Sequence, residues 1–416
     1  MPLGFVFDDN QVKLRVFLLV LFAFPPASRA FAQTVPGAPD PSKARVRIGP
    51  LWMNPTLALT NAGLDTNVFN EADPDVPKRD FTLTITPQVE LWLPMGRTWL
   101  AGNVKGELVW YQKYSSERSS NNNYTVGWLI PLNRLSFSVG GNRLTTRERP
   151  GFEIDARAQR NEIDVNGAVE VRALSNTFFG VRAERGKVDF DQNAVFLGTN
   201  LHDELNRTVT SSALTIRHQF TPLTNVTIDA ALEQGRFDFS PERDSDSTLI
   251  GLGVTFDPLA VINGSAQIGF RDFKPLSPGV PGFTGTTVSV NLSYVALGST
   301  KLSVQAARDV QYSYQVDQPY YLQTGVSGSF AQQLFGPLEV VGRIGAQRLD
   351  YRDRAEAEVA VSDRTDHVRS YGGGFGYHMG RELRLGFDID RQKRTSGVSY
   401  RQYDGLRYGT SVTYGL

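Results

Sequence analysis

Cysteine is missing from all 416 residues, which excludes a disulfide framework and thiolate metal sites. A chain without thiols also crosses an oxidising periplasm with nothing to mispair. Excess charge is missing too: 43 basic residues balance 43 acidic ones for a formal charge of +0. No basic surface invites nucleic acid, and there is no long acidic tail. Histidine is scarce. His202, His218, His367 and His378 are scattered, and none forms the i, i+4 pair of a helical zinc site, so neither a metal nor a cofactor is expected. After the N-terminal region there is no apolar stretch of the roughly 20 residues that a membrane-spanning helix needs. Any membrane residence must therefore be as strands.

The one long apolar run lies near the start. Lys13 and Arg15 precede Val16–Phe24, Pro25-Pro26 end the run, and Ala30-Phe31-Ala32 stands before Gln33. This is the pattern of a secretory signal cleaved between Ala32 and Gln33. A membrane anchor fits less well, because the run is far too short to span a bilayer. Residues 1–11 form an unusual leader with two acids, so translation is expected to start a little downstream. The expected organisation is a signal peptide over 1–32, a short periplasmic linker over 33–45 and one large repetitive fold over 46–416.

What the chain does have is glycine, proline and aromatic residues (39 Gly, 22 Pro, 11% aromatic), with apolar residues in short alternating runs. From Phe81 to Leu91 every odd position is apolar and every even one is polar apart from Pro87. Ile163–Val171, Val288–Tyr294 and Leu383–Asp390 repeat the pattern. Since successive strand side chains point to opposite faces, this alternation suits one face in lipid and one in water. Tight turns are marked at Pro94–Arg97, Pro131–Asn133, Ala173–Asn176, Thr221–Thr224, Asp257–Leu259, Leu297–Ser299, Phe335–Pro337 and Met379–Arg381. Between them lie longer polar loops, at 70–80, 147–160, 190–206, 274–282 and 352–365. Short turns at one end and long loops at the other predict an all-β, transmembrane, antiparallel up-and-down barrel of about 18 strands with both termini periplasmic.

A soluble β-sandwich or propeller also has many short strands. It would not segregate its connections into short and long, would carry more Lys than Ile, Val and Leu on its exposed faces, and would not need to end in a strand. Here residues 406–416 alternate to the last position, like the signal read by the barrel-insertion machinery, although Leu416 replaces the usual aromatic. Trp92, Trp99 and Trp128 near tight turns, and Tyr111, Tyr114, Tyr124, Tyr312, Tyr314, Tyr320 and Tyr321 near long loops, suggest two interfacial girdles.

The same parity sends a mixed set of charges inward: Glu90, Lys105, Glu107, Asp164, Glu170, Arg172, Arg182, Glu184, Asp229, Glu233, Glu339, Arg343, Arg384, Asp388, Asp390 and Arg407. These are the expected pore-lining residues, because Arg or Lys facing lipid at mid-bilayer costs about 2–4 kcal/mol. A barrel of 16–18 strands is wide enough for an aqueous channel, so size favours a pore. The same charges also fit a rigid or plugged barrel in which acids and bases merely neutralise one another. No enzyme is expected. There is no Gly-x-Ser-x-Gly elbow and no Ser/His/acid set. Asp388 and Asp390 share a face as a catalytic pair would, but nothing else supports catalysis. Asp244-Ser245-Asp246-Ser247 reads as a solvated loop, lacking the glycine and distal glutamate of a calcium loop.

One hairpin carries more. Pro55–Thr60 runs into Leu64-Asp65-Thr66-Asn67-Val68-Phe69, and the partner strand holds Leu83-Thr84-Ile85-Thr86-Pro87. Together with Tyr403-Asp404 before the last strand, these resemble the β-barrel porin 2 family, over about residues 46–416. The turn has its own physical reading, since Asp and Asn side chains bond nearby backbone, and Pro87 should mark a bulge because it cannot donate to a ladder. What the resemblance implies is an outer-membrane channel for secreted polysaccharide. Its partners would be outer-membrane lipid, the barrel-insertion machinery, periplasmic polysaccharide-export proteins and the polymer itself. A general diffusion porin and a non-conducting structural barrel of an export complex are the alternatives.

Overall fold

The computed structural model describes residues 44–72, 75–257, 260–296, 298–359 and 361–415. The expected signal peptide, its Ala32/Gln33 cleavage point and most of the linker lie outside the described residues. A short lead-in strand, β1 (Val46–Ile48), is followed by β2 (Leu51–Asp65), β3 (Asp80–Met95), β4 (Thr98–Tyr111), β5 (Ser119–Pro131), β6 (Leu135–Glu148), β7 (Ala158–Leu174) and β8 (Thr177–Phe190). The connection after β8 holds β9 (Val195–Phe196), β10 (Thr199–Asn200) and one short helix, α1 (Leu201–Leu205). Then come β11 (Arg207–Thr221), β12 (Thr224–Phe237), β13 (Ser245–Phe256), β14 (Ile262–Pro275), β15 (Phe283–Ala296), β16 (Thr300–Tyr312) and β17 (Tyr320–Gln333). The last four are β18 (Leu338–Arg352), β19 (Thr365–Met379), β20 (Leu383–Thr395) and β21 (Tyr403–Tyr414).

Apart from β1, β9 and β10, these strands form a closed, antiparallel 18-strand barrel. Each pairs with its neighbours along the chain, as β8 does with β11. The ring closes where β2 meets β21, from Leu57 opposite Tyr414 to Asp65 opposite Arg407. Closure removes the edges that would leave unpaired backbone groups in lipid. Strands of 12–17 residues, at ~3.3 Å per residue and tilted by about 45°, cross the apolar band of about 25 Å and stand proud of it. Among the described residues no helix is long and apolar enough to cross a membrane, so crossing is by strands.

Exposure separates the two faces. Leu214 (64%), Ile344 (61%) and Phe375 (66%) lie open on the outside, whereas Ala213 (4%), next to Leu214, and Val341 (2%), on the same strand as Ile344, are covered. Register keeps this parity all the way round, because a one-residue slip would turn every Leu and Val inward. Among the described residues the tight connections lie where the turn residues called for them, while Pro258, Leu259 and Leu297 of two expected turns lie outside the described residues. Gly96 at φ +64 and Gly380 at φ +70 supply the positive φ that such hairpins require.

The bulge is not at Pro87. That proline leaves a gap in the ladder between Ile85–Leu108 and Gln88–Lys105, but the phase is unchanged. The register shift lies opposite, in β2, between Thr60 and Gly63, where Asn61 adopts φ +53. A missing N–H deletes one hydrogen bond. An inserted residue in the left-handed region is what displaces a strand.

The expected girdles are also corrected. Trp128 and Tyr124 do face outward, but Trp92 and Trp99 share the inner face with Ala101 and Glu90. Tyr111, Tyr314, Tyr320 and Tyr321 are buried, and Tyr312 packs against Phe237 and Phe273 at the inner wall. Clustering at strand ends does not separate a ring facing lipid from one packed under a loop.

Candidate functional site

The barrel interior is the candidate site, and its walls are charged in compensating sets. Arg343 on β18 reaches across β19 to Asp388 at 2.8 Å and Asp390 at 3.1 Å on β20. It can do so because the intervening positions on β19 are Gly372 and Gly374, where any Cβ would collide with those aspartates. Nearer the short-turn end, Glu339 takes Arg384 at 2.7 Å and His378 at 3.2 Å. Glu170 pairs with Arg217 at 2.6 Å, Lys105 with Glu107 at 2.6 Å and Arg407 with Asp65 at 2.7 Å. Arg271 bridges Glu233 at 2.8 Å and Asp309 at 3.0 Å.

The remaining expected pore residues occupy the same face by register. Glu90 accepts from Asn54 Nδ2 at 3.2 Å, Asp229 accepts from Thr215 at 2.6 Å, and Arg172 lies 5.2 Å over the Phe178 ring. Asp164, Glu184 and Arg182 stand on three successive same-face rungs of β7 and β8, opposite Gly186, Asn166 and Ala168. The acid pair Asp388/Asp390 is gripped by Arg343. The expected solvated loop over 244–247 is largely strand, since β13 begins at Ser245 with Ser245 and Ser247 buried; Asp244 accepts the backbone N–H of Phe237 and Asp246 pairs with Arg236. Among the described residues, no group of three or more His, Asp and Glu could hold a metal.

Residues that sequence reasoning missed control the wide end. The loop between β6 and β7 turns inward and crosses the lumen. Its Phe152 packs with Tyr321, Leu349, Tyr351 and Val368 on β17–β19, and β17 stands eight places from β7 around the 18-strand ring. Its Ile154 joins Phe190, Phe196, Leu201, Leu205 and Tyr314, so the loop carrying α1 folds in as well. Polar anchors hold the crossing. Arg394 donates to Phe152 O at 2.9 Å, to Glu153 O at 3.2 Å and to Asp155 at 3.1 Å, and also holds Asp366. Arg401 reaches Glu153 O and Asp155. Glu153 itself is buried, accepts from the Ser313 hydroxyl at 2.6 Å, and burial pushes its carboxyl above the ordinary range despite Arg401, Arg364 and Arg394 nearby. The available signal was Phe152 and Ile154, two large apolar residues in an otherwise polar loop.

Below the crossing lies a cavity of about 330 Å³. Its walls include Tyr111, Phe152, Arg149 and Arg157 on one side and Ser303, Gln305, Ser327, Ser329 and Ser370 on the other. The Asp65-Thr66-Asn67 turn borders it. Asn67 N donates to Asp65 Oδ1 at 3.0 Å, and the Asn67 side chain bridges Glu71 and Asp404 O. The turn thereby ties the first loop to the last strand.

A family model described as Putative beta-barrel porin 2 matches residues 41–415. The chain belongs to that family. As a β-barrel porin 2 member it is an outer-membrane protein with the architecture of a channel. Similar solved structures include a BenF-like porin from Pseudomonas fluorescens Pf-5, with 12% identity over 88% of this chain and 98% of that one and a TM-score of 0.47. Pseudomonas aeruginosa OccK2 (OpdF), in complex with glucuronate, matches at 11% identity over 87% and 97%, with a TM-score of 0.45. Pseudomonas aeruginosa OccK3 (OpdO) matches at 13% over 88% and 95%, with a TM-score of 0.43. Likenesses this distant carry nothing about cargo, and the fold stands on the strand pairing itself. No curated protein matches the chain.

Proposed function

We propose that this porin is a passive channel for small hydrophilic solutes, with little preference for either sign of charge. The observation that carries the reading is the inward β6–β7 loop, which leaves a lumenal cavity of about 330 Å³, in the range of small-molecule sites. Mutual neutralisation of the wall charges supports it further, since paired charges attract neither cations nor anions strongly. Polysaccharide export, which the family resemblance implies, gains no support from this geometry. A polymer thread would have to displace a loop anchored by fully buried Arg394. General diffusion therefore takes precedence.

Planar-bilayer recording of the purified protein tests the proposal. The expected result is a stable ionic conductance with a reversal potential near zero in a salt gradient. A barrel that inserts but passes no ions would refute the channel and favour a structural role. A strongly shifted reversal potential would refute the neutralised lumen.

A further inference from the structure

The inner wall at the short-turn end carries a feature that passive diffusion does not require. Trp52 on β2 and Trp92 on β3 are direct register partners, and Ala101 stands opposite Trp92 on β4. Trp99, opposite Pro94 on the same inner face, meets Trp52 edge to face at 5.3 Å between centroids. Three indoles thus share one stretch of inner wall, and each is half-buried. Two residues further along each strand lies a second rung of Asn54, Glu90 and Asn103. That step is about 7 Å at ~3.3 Å per residue.

The cluster is not a finished packing unit. Trp52 Nε1 and Asn54 Oδ1 are both buried without a hydrogen-bond partner, and such orphans are uncommon enough to call for an explanation. On this rung Asn54 Nδ2 donates to Glu90 at 3.2 Å and Asn103 Oδ1 accepts from Gln88 Nε2 at 3.0 Å, which leaves Asn54 Oδ1 and Trp52 Nε1 to be met by a ligand. An aromatic floor beside a rung of amides and a carboxylate, with a small residue between, matches a molecule with one apolar face and a hydroxylated rim. Pyranose sugars have that form. Their C–H face lies on an indole, and their hydroxyls donate to a carboxylate and exchange hydrogen bonds with amides. A flat aromatic solute would use the floor and leave the rung unanswered. Of the cations near by, Arg47 is stacked 5.1 Å over Trp52 and Lys105 is engaged by Glu107, which suits a neutral ligand.

We infer that Trp52, Trp92 and Trp99, with Asn54 and Glu90, form a saccharide-binding site at the periplasmic mouth of the lumen, one that holds a pyranose ring by stacking. The inference deepens the channel reading and rests on it for the route by which sugar arrives.

The test adds cellobiose to the periplasmic side of a bilayer containing the full barrel. Saturable, transient current blocks are expected. Trp92→Ala and Trp99→Ala should each raise the half-blocking concentration about tenfold, equivalent to ~1.4 kcal/mol, with Trp92→Phe intermediate. Trp128→Ala, on the lipid face, should change nothing. A conducting wild type with no saturable block, or Trp92→Ala blocking like wild type, overturns the site. So does benzyl alcohol competing as well as the sugar. If the wild type conducts nothing, the channel reading fails alone. Saturable quenching of tryptophan fluorescence by cellobiose in detergent then decides the site, its loss in Asn54→Ala supporting it and its absence in wild type refuting it.

Discussion

Replacing Arg394 by glutamine should open the channel. The guanidinium is wholly enclosed, holds two carbonyls and one carboxylate of the crossing loop at 2.9–3.2 Å, and grips Asp366 on the wall. Removing one partner of a buried ion pair costs about 3–5 kcal/mol, because the remaining charge is left uncompensated. Arg401 still reaches Asp155 at 3.1 Å, so the lower end applies. About 3 kcal/mol shifts the ratio of docked to released loop roughly 100-fold, at tenfold per ~1.4 kcal/mol. Single-channel recording should show a larger unitary conductance and noisier open states in Arg394→Gln, while the folded barrel keeps its heat-modifiable migration. If conductance and noise match wild type in a folded barrel, the loop does not narrow the path and the argument built on it fails.

Other perturbations probe the wall and the lipid face. Arg343→Ala leaves Asp388 and Asp390 without their shared cation and should make the channel cation-selective, read as a shifted reversal potential. Ile344→Arg, one residue away on the lipid face, should lose about 2–4 kcal/mol of folding free energy, measured by urea titration in vesicles, with little effect on selectivity. The raised carboxyl of Glu153 makes loop packing depend on pH. A raised native value means the contribution is complete below the unfolded value near ~4.3 and is lost as pH rises through the native one. The docked loop should therefore gain stability on acidification from neutral, seen as quieter currents, and Glu153→Gln should abolish that dependence.

Much of the barrel was legible because lipid imposes a simple rule on sequence. Alternation at Phe81–Leu91 or Ile163–Val171 is the direct signature of a wall with lipid on one side, and turn residues such as Pro94–Arg97 mark where it reverses. Parity also placed the inward charges, since it depends only on counting by two. The loops obey no such rule. Whether residues 149–157 lie over the rim or across the lumen is decided by contacts with Arg394 and Arg401, more than 200 positions away. The tryptophans illustrate the same limit. Trp92 and Trp99 flank a tight turn, as interfacial residues would, yet they share the parity of inward Glu90 and Lys105, and the β2–β3–β4 register brings them together with Trp52. The Asp65-Thr66-Asn67 turn lies between these extremes. Its local hydrogen bonding was foreseeable, but its bond to Asp404 O depends on barrel closure.

Liposome swelling measures the proposed channel most directly. Vesicles carrying the full barrel, diluted into isotonic solutions of uncharged sugars, should swell quickly with glucose, more slowly with a disaccharide and not at all with dextran. Impermeability to all three would contradict a channel, and entry of dextran at the rate of glucose would contradict a lumen narrowed by the β6–β7 loop.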